Sequence, residues 1–111
     1  MVLKFKTLVI SASASSSGED YFAPEKPIIL KKILVHEESG TALHDVHIKI
    51  SVADIPYTKD TIPCYLLDCY YNQAPELNYP VEKGSRIDIT ITNDTASDVV
   101  VRVVLAYEER E

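Results

Sequence analysis

The sequence predicts an all-β fold, a single-domain antiparallel β-sandwich with at most one short helical turn. Three observations lead there. Apolar and polar residues alternate with a period of two in several segments, turn-forming residues recur about every eight to twelve positions, and helical periodicity is nearly absent. A chain of 111 residues has room for one hydrophobic core, so residues 1–111 are read as one domain.

The first strand is expected over residues 2–13, with Leu3, Phe5, Thr7 and Val9 on one face and Lys4, Lys6, Leu8 and Ile10 on the other. Residues 11–20 are small and polar without periodicity, and are read as a polar loop or arm. Pro24 and Pro27 suit a sheet edge, where a missing N–H is tolerated. Residues 28–36 follow as a strand that is apolar on both faces, with Lys31 and Lys32 in its middle. After a turn at 37–40, residues 42–52 alternate cleanly: Val46, Ile48, Ile50 and Val52 inward, His47, Lys49 and Ser51 outward.

Residues 54–61 form a loop. In 62–71, Asp60 or Thr61 can cap a short helix with Pro63 in its first turn, and Leu66 and Tyr70 then share a face with Ile62. A strand competes there because apolar and aromatic residues dominate; the helical turn is favoured. Residues 72–80 are irregular or contain a short strand around 77–81. Glu82, Lys83 and Gly84 make a turn before Ile87, Ile89 and Ile91, which alternate with Arg86, Asp88, Thr90 and Thr92. A second polar turn at 93–98 leads into the β-branched run 99–107. The two strands are expected to form a terminal antiparallel hairpin, with the three isoleucines in the core.

Composition removes several functions. A net charge of -6 disfavours a broad basic surface for nucleic acid, since phosphate binding needs clustered Lys and Arg. No apolar run approaches the roughly 18 residues of a membrane span. Lys4 and Lys6 interrupt what would be the apolar region of a signal peptide, so residues 1–10 read as a strand. Cys64 and Cys69 are then expected as reduced, partly buried thiols. No Gly-x-Ser-x-Gly elbow, Ser-His-Asp order or glycine-rich phosphate loop is present, and only three glycines occur in the chain. His44 and His47 point to opposite faces of a regular strand, which argues against a metal site. Catalytic residues, metal ligands and cofactors are therefore expected to be none.

The tyrosines are the more suggestive group. Tyr57, Tyr65, Tyr70, Tyr71 and Tyr79 fall between the third strand and the last two. A ring with a polar tip suits a protein interface, or the same rings can close one end of the core. Ser15, Ser16 and Ser17 in the polar segment are the other candidate contact residues. Asn93, Asp94 and Thr95 match an N-glycosylation acceptor and imply an exposed turn.

Two stretches carry a resemblance: Pro27, Ile28, Ile29, Leu30, Lys31, Lys32, Ile33, Leu34 and Val35, and later Leu77 through Asn78, Tyr79, Pro80, Val81, Glu82, Lys83, Gly84, Ser85, Arg86 to Ile87, with Thr92, Asn93 and Asp94 before the last strand. The chain resembles the small single jelly-roll structural proteins of viruses, the coat, turret or decoration domains of phages and archaeal viruses. That resemblance implies a jelly-roll sandwich with no catalytic residues. It also implies a homo-oligomer that contacts other virion structural proteins, made in the host cytoplasm and located in the virion. The alternative is a glycan- or receptor-binding module of a spike or fibre, and a cupin-like metal enzyme ranks third.

Overall fold

β-Branched residues make the long strands here, because their stiff side chains pack well on a pleated surface. The computed structural model describes residues 3–37, 45–53, 55–56, 62–64, 74 and 76–110. Among them run nine strands: β1 Leu3–Ala12, β2 Ser16–Phe22, β3 Ile28–Glu37, β4 Val46–Val52, β5 Ile55–Pro56, β6 Ile62–Pro63, β7 Tyr79–Val81, β8 Ile87–Asn93 and β9 Val99–Glu109. Every pairing is antiparallel. The first sheet has the order β1-β9-β3-β7, and the second β2-β8-β4-β5 with β6 also on β4.

The pairings nest. β1 lies on β9, β2 on β8, β3 on β7, and β4 on β5 and β6. Such nesting describes one long antiparallel ribbon, and the added pairs β3–β9 and β4–β8 arise where the ribbon wraps on itself. Two sheets result, stacked over a shared core. Leu8 and Ile10 of β1, Ile33 and Val35 of β3, and Val99, Val101, Val103 and Leu105 of β9 face Val46, Ile48 and Ile50 of β4 and Ile87, Ile89 and Ile91 of β8. Each such side chain contributes about 1.5–3 kcal/mol by leaving water.

The inward and outward residues of β4 and β8 are those the alternation predicts. Three expectations change or fall away, and one, the third below, gains its physical reason. First, residues 11–20 are no loop or arm: β1 continues to Ala12 and β2 starts at Ser16, paired along its length with β8. The segment looked aperiodic because its half-buried, inward positions are Gly18, Asp20 and Phe22 rather than aliphatic residues. Glycine is required there. A Cβ on Gly18 would stand 2.2 Å from the Ser11 carbonyl oxygen, so β1 and β2 close one side of the sandwich by backbone contact.

Second, β8 and β9 do not form a hairpin. They belong to different sheets and oppose each other across the core. A period of two says that a strand buries one face; it does not say whether the next strand lies beside it or opposite. Third, β3 is apolar on both faces because of a bulge between Leu30 and Lys32, which moves the buried set from Ile28 and Leu30 to Ile33 and Val35. The carbonyl of Lys31, released by the bulge, accepts the Leu77 N–H at 2.7 Å. The Lys31 ammonium reaches Glu76 at 3.1 Å and also Asn78, tethering the approach to β7.

Fourth, Ile62–Pro63 pairs with β4 instead of opening the expected helical turn; Cys64 after it has 3₁₀ geometry, and residues 65–71 lie outside the described residues. No helix among the described residues is long and apolar enough to cross a membrane.

Candidate functional site

Ser15, Ser16 and Ser17 sit at one end of the sandwich, exposed but anchored. Ser15 takes a left-handed φ of 57°. Its N–H donates to the Thr95 carbonyl at 3.2 Å, and the Ser16 N–H donates to Ser13 at 3.0 Å. Tyr79 lies elsewhere, half-buried on β7, opposite Leu30 and packed against the core. It occupies the edge of the first sheet away from β1, so the structure does not bring Tyr79 and the serines together. Tyr57, Tyr65, Tyr70 and Tyr71 lie outside the described residues.

What anchors the serine end is Asn93. It is fully buried, against the expectation of an exposed acceptor. Its amide nitrogen donates to the carbonyls of Ala12 (3.1 Å), Ser13 (3.2 Å) and Ser97 (2.8 Å). Its side-chain oxygen accepts from the Thr95 N–H at 3.0 Å and the Thr95 hydroxyl at 2.6 Å. The Asn-x-Thr spacing that reads as a glycosylation signal is here a closed turn holding β1 to β8.

At the opposite end the sheets part around an open cavity of about 390 Å³. Lys4 and Lys6 line it from β1, Phe22, Pro24 and Lys26 from the end of β2 onward, and Tyr107 and Glu109 from β9. The Phe22 and Tyr107 rings meet at a centroid distance of 5.4 Å, tilted by 43°. Glu109 bonds to Lys4 and stands 3.9 Å from Lys26. The Lys4 ammonium is held above its ordinary pKa, first by the hydrogen bond to Glu109 and then by its charge. The same bond holds the Glu109 carboxyl below its ordinary value. Sequence reasoning passed over this cluster. Its signal was there: Lys4 and Lys6 share the inward parity of Leu8 and Ile10, as charges do where the space between sheets is open to water.

The outer faces of the two sheets differ in kind. Outward rows of the second sheet read Ser17–Thr92–His47, Glu19–Thr90–Lys49 and Tyr21–Asp88–Ser51. They are polar, and exposed Tyr21 carries the Arg86 guanidinium 3.8 Å above its ring. Outward rows of the first sheet read Phe5–Ala106–Lys32, Thr7–Val104–Leu34 and Val9–Arg102–His36. Phe5 is 56% exposed and Val9 52%, with Leu34, Val100 and Val104 half-buried around them.

His36 points outward from the first sheet and His47 outward from the second, so these two cannot converge on one ion; His44 lies outside the described residues. No group of three or more His, Cys, Asp or Glu able to hold a metal occurs among the described residues. Cys64 is buried and unpaired, and burial pushes its thiol pKa up to about 12. Cys69 lies outside the described residues.

Compared with models of known protein families, with curated proteins and with solved structures, the chain matches none of them.

Proposed function

We propose that this chain is a non-enzymatic structural subunit that works by self-association, as the coat, turret and decoration subunits of virions do. The observation that carries the self-association is the outer face of the first sheet. Phe5 and Val9 stand more than half exposed there beside Leu34, Val100 and Val104, whereas the outward rows of the second sheet are polar except for Tyr21, and its exposed Ile55 lies on the edge strand β5. An exposed apolar patch on a small soluble domain marks a contact surface.

A second copy of the chain is the occupant. Three strands at about 4.8 Å spacing and ten residues at about 3.3 Å rise give the face roughly 500 Å². Two such faces packed about a two-fold axis bury on the order of 1,000 Å², the lower bound for a specific interface. Apolar residues suit such a self-complementary contact, and the charged residues Lys32, Glu37 and Arg102 of β3 and β9 already have interactions of their own. One contact of that size is weak, and several made by each subunit hold an assembly together.

The virion reading rests on the resemblance and on the nested strand order, the order of a double-Greek-key jelly roll. That is an argument from fold, since the same architecture also serves lectins and cupins. Sedimentation of the chain over a hundredfold range of concentration tests the self-association. A mass that rises with concentration to a defined oligomer is expected, and a monomer throughout contradicts it.

A further inference from the structure

The open end of the sandwich has features that self-association leaves unexplained. Three lysines, Lys4, Lys6 and Lys26, line one cavity with two glutamates, Glu25 and Glu109, a local excess of positive charge in a chain whose net charge is -6. Glu109 answers Lys4 closely and Lys26 only at 3.9 Å, and Lys6 has no carboxylate partner among the described residues. The Phe22 and Tyr107 rings line the same cavity and supply an apolar part to a lining that is mostly polar. The volume of about 390 Å³ falls at the lower end of small-ligand pockets, roughly 300–1,000 Å³.

We propose that this end binds a single acidic sugar residue, a pyranose carrying a carboxylate. Each part of the cavity matches one part of such a ligand. Lys6 and Lys26 receive the carboxylate by charge-assisted hydrogen bonds. Tyr107 and Phe22 take the apolar C–H face of the ring. The cavity size admits one ring with its substituents rather than an extended chain. A bare inorganic anion would use the lysines and leave the aromatic wall idle; a neutral sugar would do the reverse. Inward-pointing lysines on an edge strand also keep other strands from adding to it. That role needs neither the aromatic wall nor the cavity.

Amide chemical-shift titrations of the full chain separate these cases, with N-acetylneuraminate and glucuronate as acidic probes, glucose as the neutral probe and acetate as the bare carboxylate. Saturable shifts confined to residues 4–6, 22–28 and 107–109 are expected with the acidic sugars, and no saturation over the same range with glucose or acetate. Lys6→Gln should weaken binding about tenfold, the effect of one lost charge-assisted hydrogen bond. Lys26→Gln is the second variant should the first fail to fold, and each variant's own spectrum reports its fold. No saturable shift with either acidic sugar, equal response to acetate, or undiminished affinity in a folded Lys6→Gln or Lys26→Gln would overturn the proposal.

Discussion

The buried side-chain amide of Asn93 donates to the Ala12 carbonyl at 3.1 Å, joining the last residue of β8 to the last residue of β1 across the two sheets. Together with its bonds to Ser13 and Ser97, it holds the β1–β2 turn against the β8–β9 turn. Replacing Asn93 by Ala leaves these carbonyls without that donor and the Thr95 N–H without its acceptor. Asn93→Ala should cost about 2–4 kcal/mol. Asn93→Asp should cost more, because it sets a carboxylate against three carbonyl oxygens. Urea midpoints at constant slope check both.

The same burial decides the fate of the glycosylation signal. A glycan on the Asn93 nitrogen would displace its three carbonyl acceptors, so modification at Asn93 and the native fold exclude each other. Protein sent through a secretory route and recovered folded should carry no sugar at Asn93, as intact mass measurement will show.

Gly18 sits where β2 passes closest to β1. Gly18→Ala places a methyl 2.2 Å from the Ser11 carbonyl oxygen, which is backbone and cannot swing away. The two edge strands must separate, at a cost of about 1–3 kcal/mol. Thermal unfolding measures the loss, and faster amide exchange at residues 10–12 and 17–19 locates it. Gly84→Ala is a contrast: its Cβ meets nothing within 4 Å, but the residue lies at φ 79°, so the cost there is backbone strain of about 1 kcal/mol.

Cys64 gives the chain an alkaline limit. Its thiol is neutral in the fold, with the pKa pushed up to about 12 by burial, whereas the unfolded chain ionises it at about 8.5. Between those values the unfolded state binds fewer protons than the folded one, so stability falls as pH rises. The slope should approach about 1.4 kcal/mol per pH unit at its steepest. Cys64→Ala should flatten that part of the curve in urea titrations from pH 8 to 11. Below pH 8 the thiol should also resist alkylation until the protein unfolds.

Strands that alternate strictly were legible in the sequence. β4 and β8 bury Val46, Ile48, Ile50, Ile87, Ile89 and Ile91 because aliphatic residues occupy every second position. β2 was not legible, because a close backbone approach demands Gly18 where an aliphatic residue would have announced a strand. The bulge at Lys31 hid the single buried face of β3 by changing its phase partway. Pairing partners were beyond local pattern altogether: the same alternation fits β9 beside β8 or across from it. Of the expected contact residues, Ser15 and Tyr79 have structural duties, one in the Asn93 turn and one against the core. The more exposed features, Phe5 with Val9 and the Lys4–Lys6 pair, show in the sequence only as strand faces. Their parity is visible, but which face of β1 is covered depends on the opposing sheet, whose β4 and β8 are far away in sequence.

The central claim is that the outer face of the first sheet joins copies of this chain. Native mass measurement of the wild type beside a Phe5→Glu, Val9→Glu double variant tests it most directly, with Thr90→Glu on the polar second sheet as the control. A defined oligomer for the wild type and the control, and a folded monomer for the double variant, is the predicted result. The same oligomer in all three proteins, or a monomeric wild type, would contradict it.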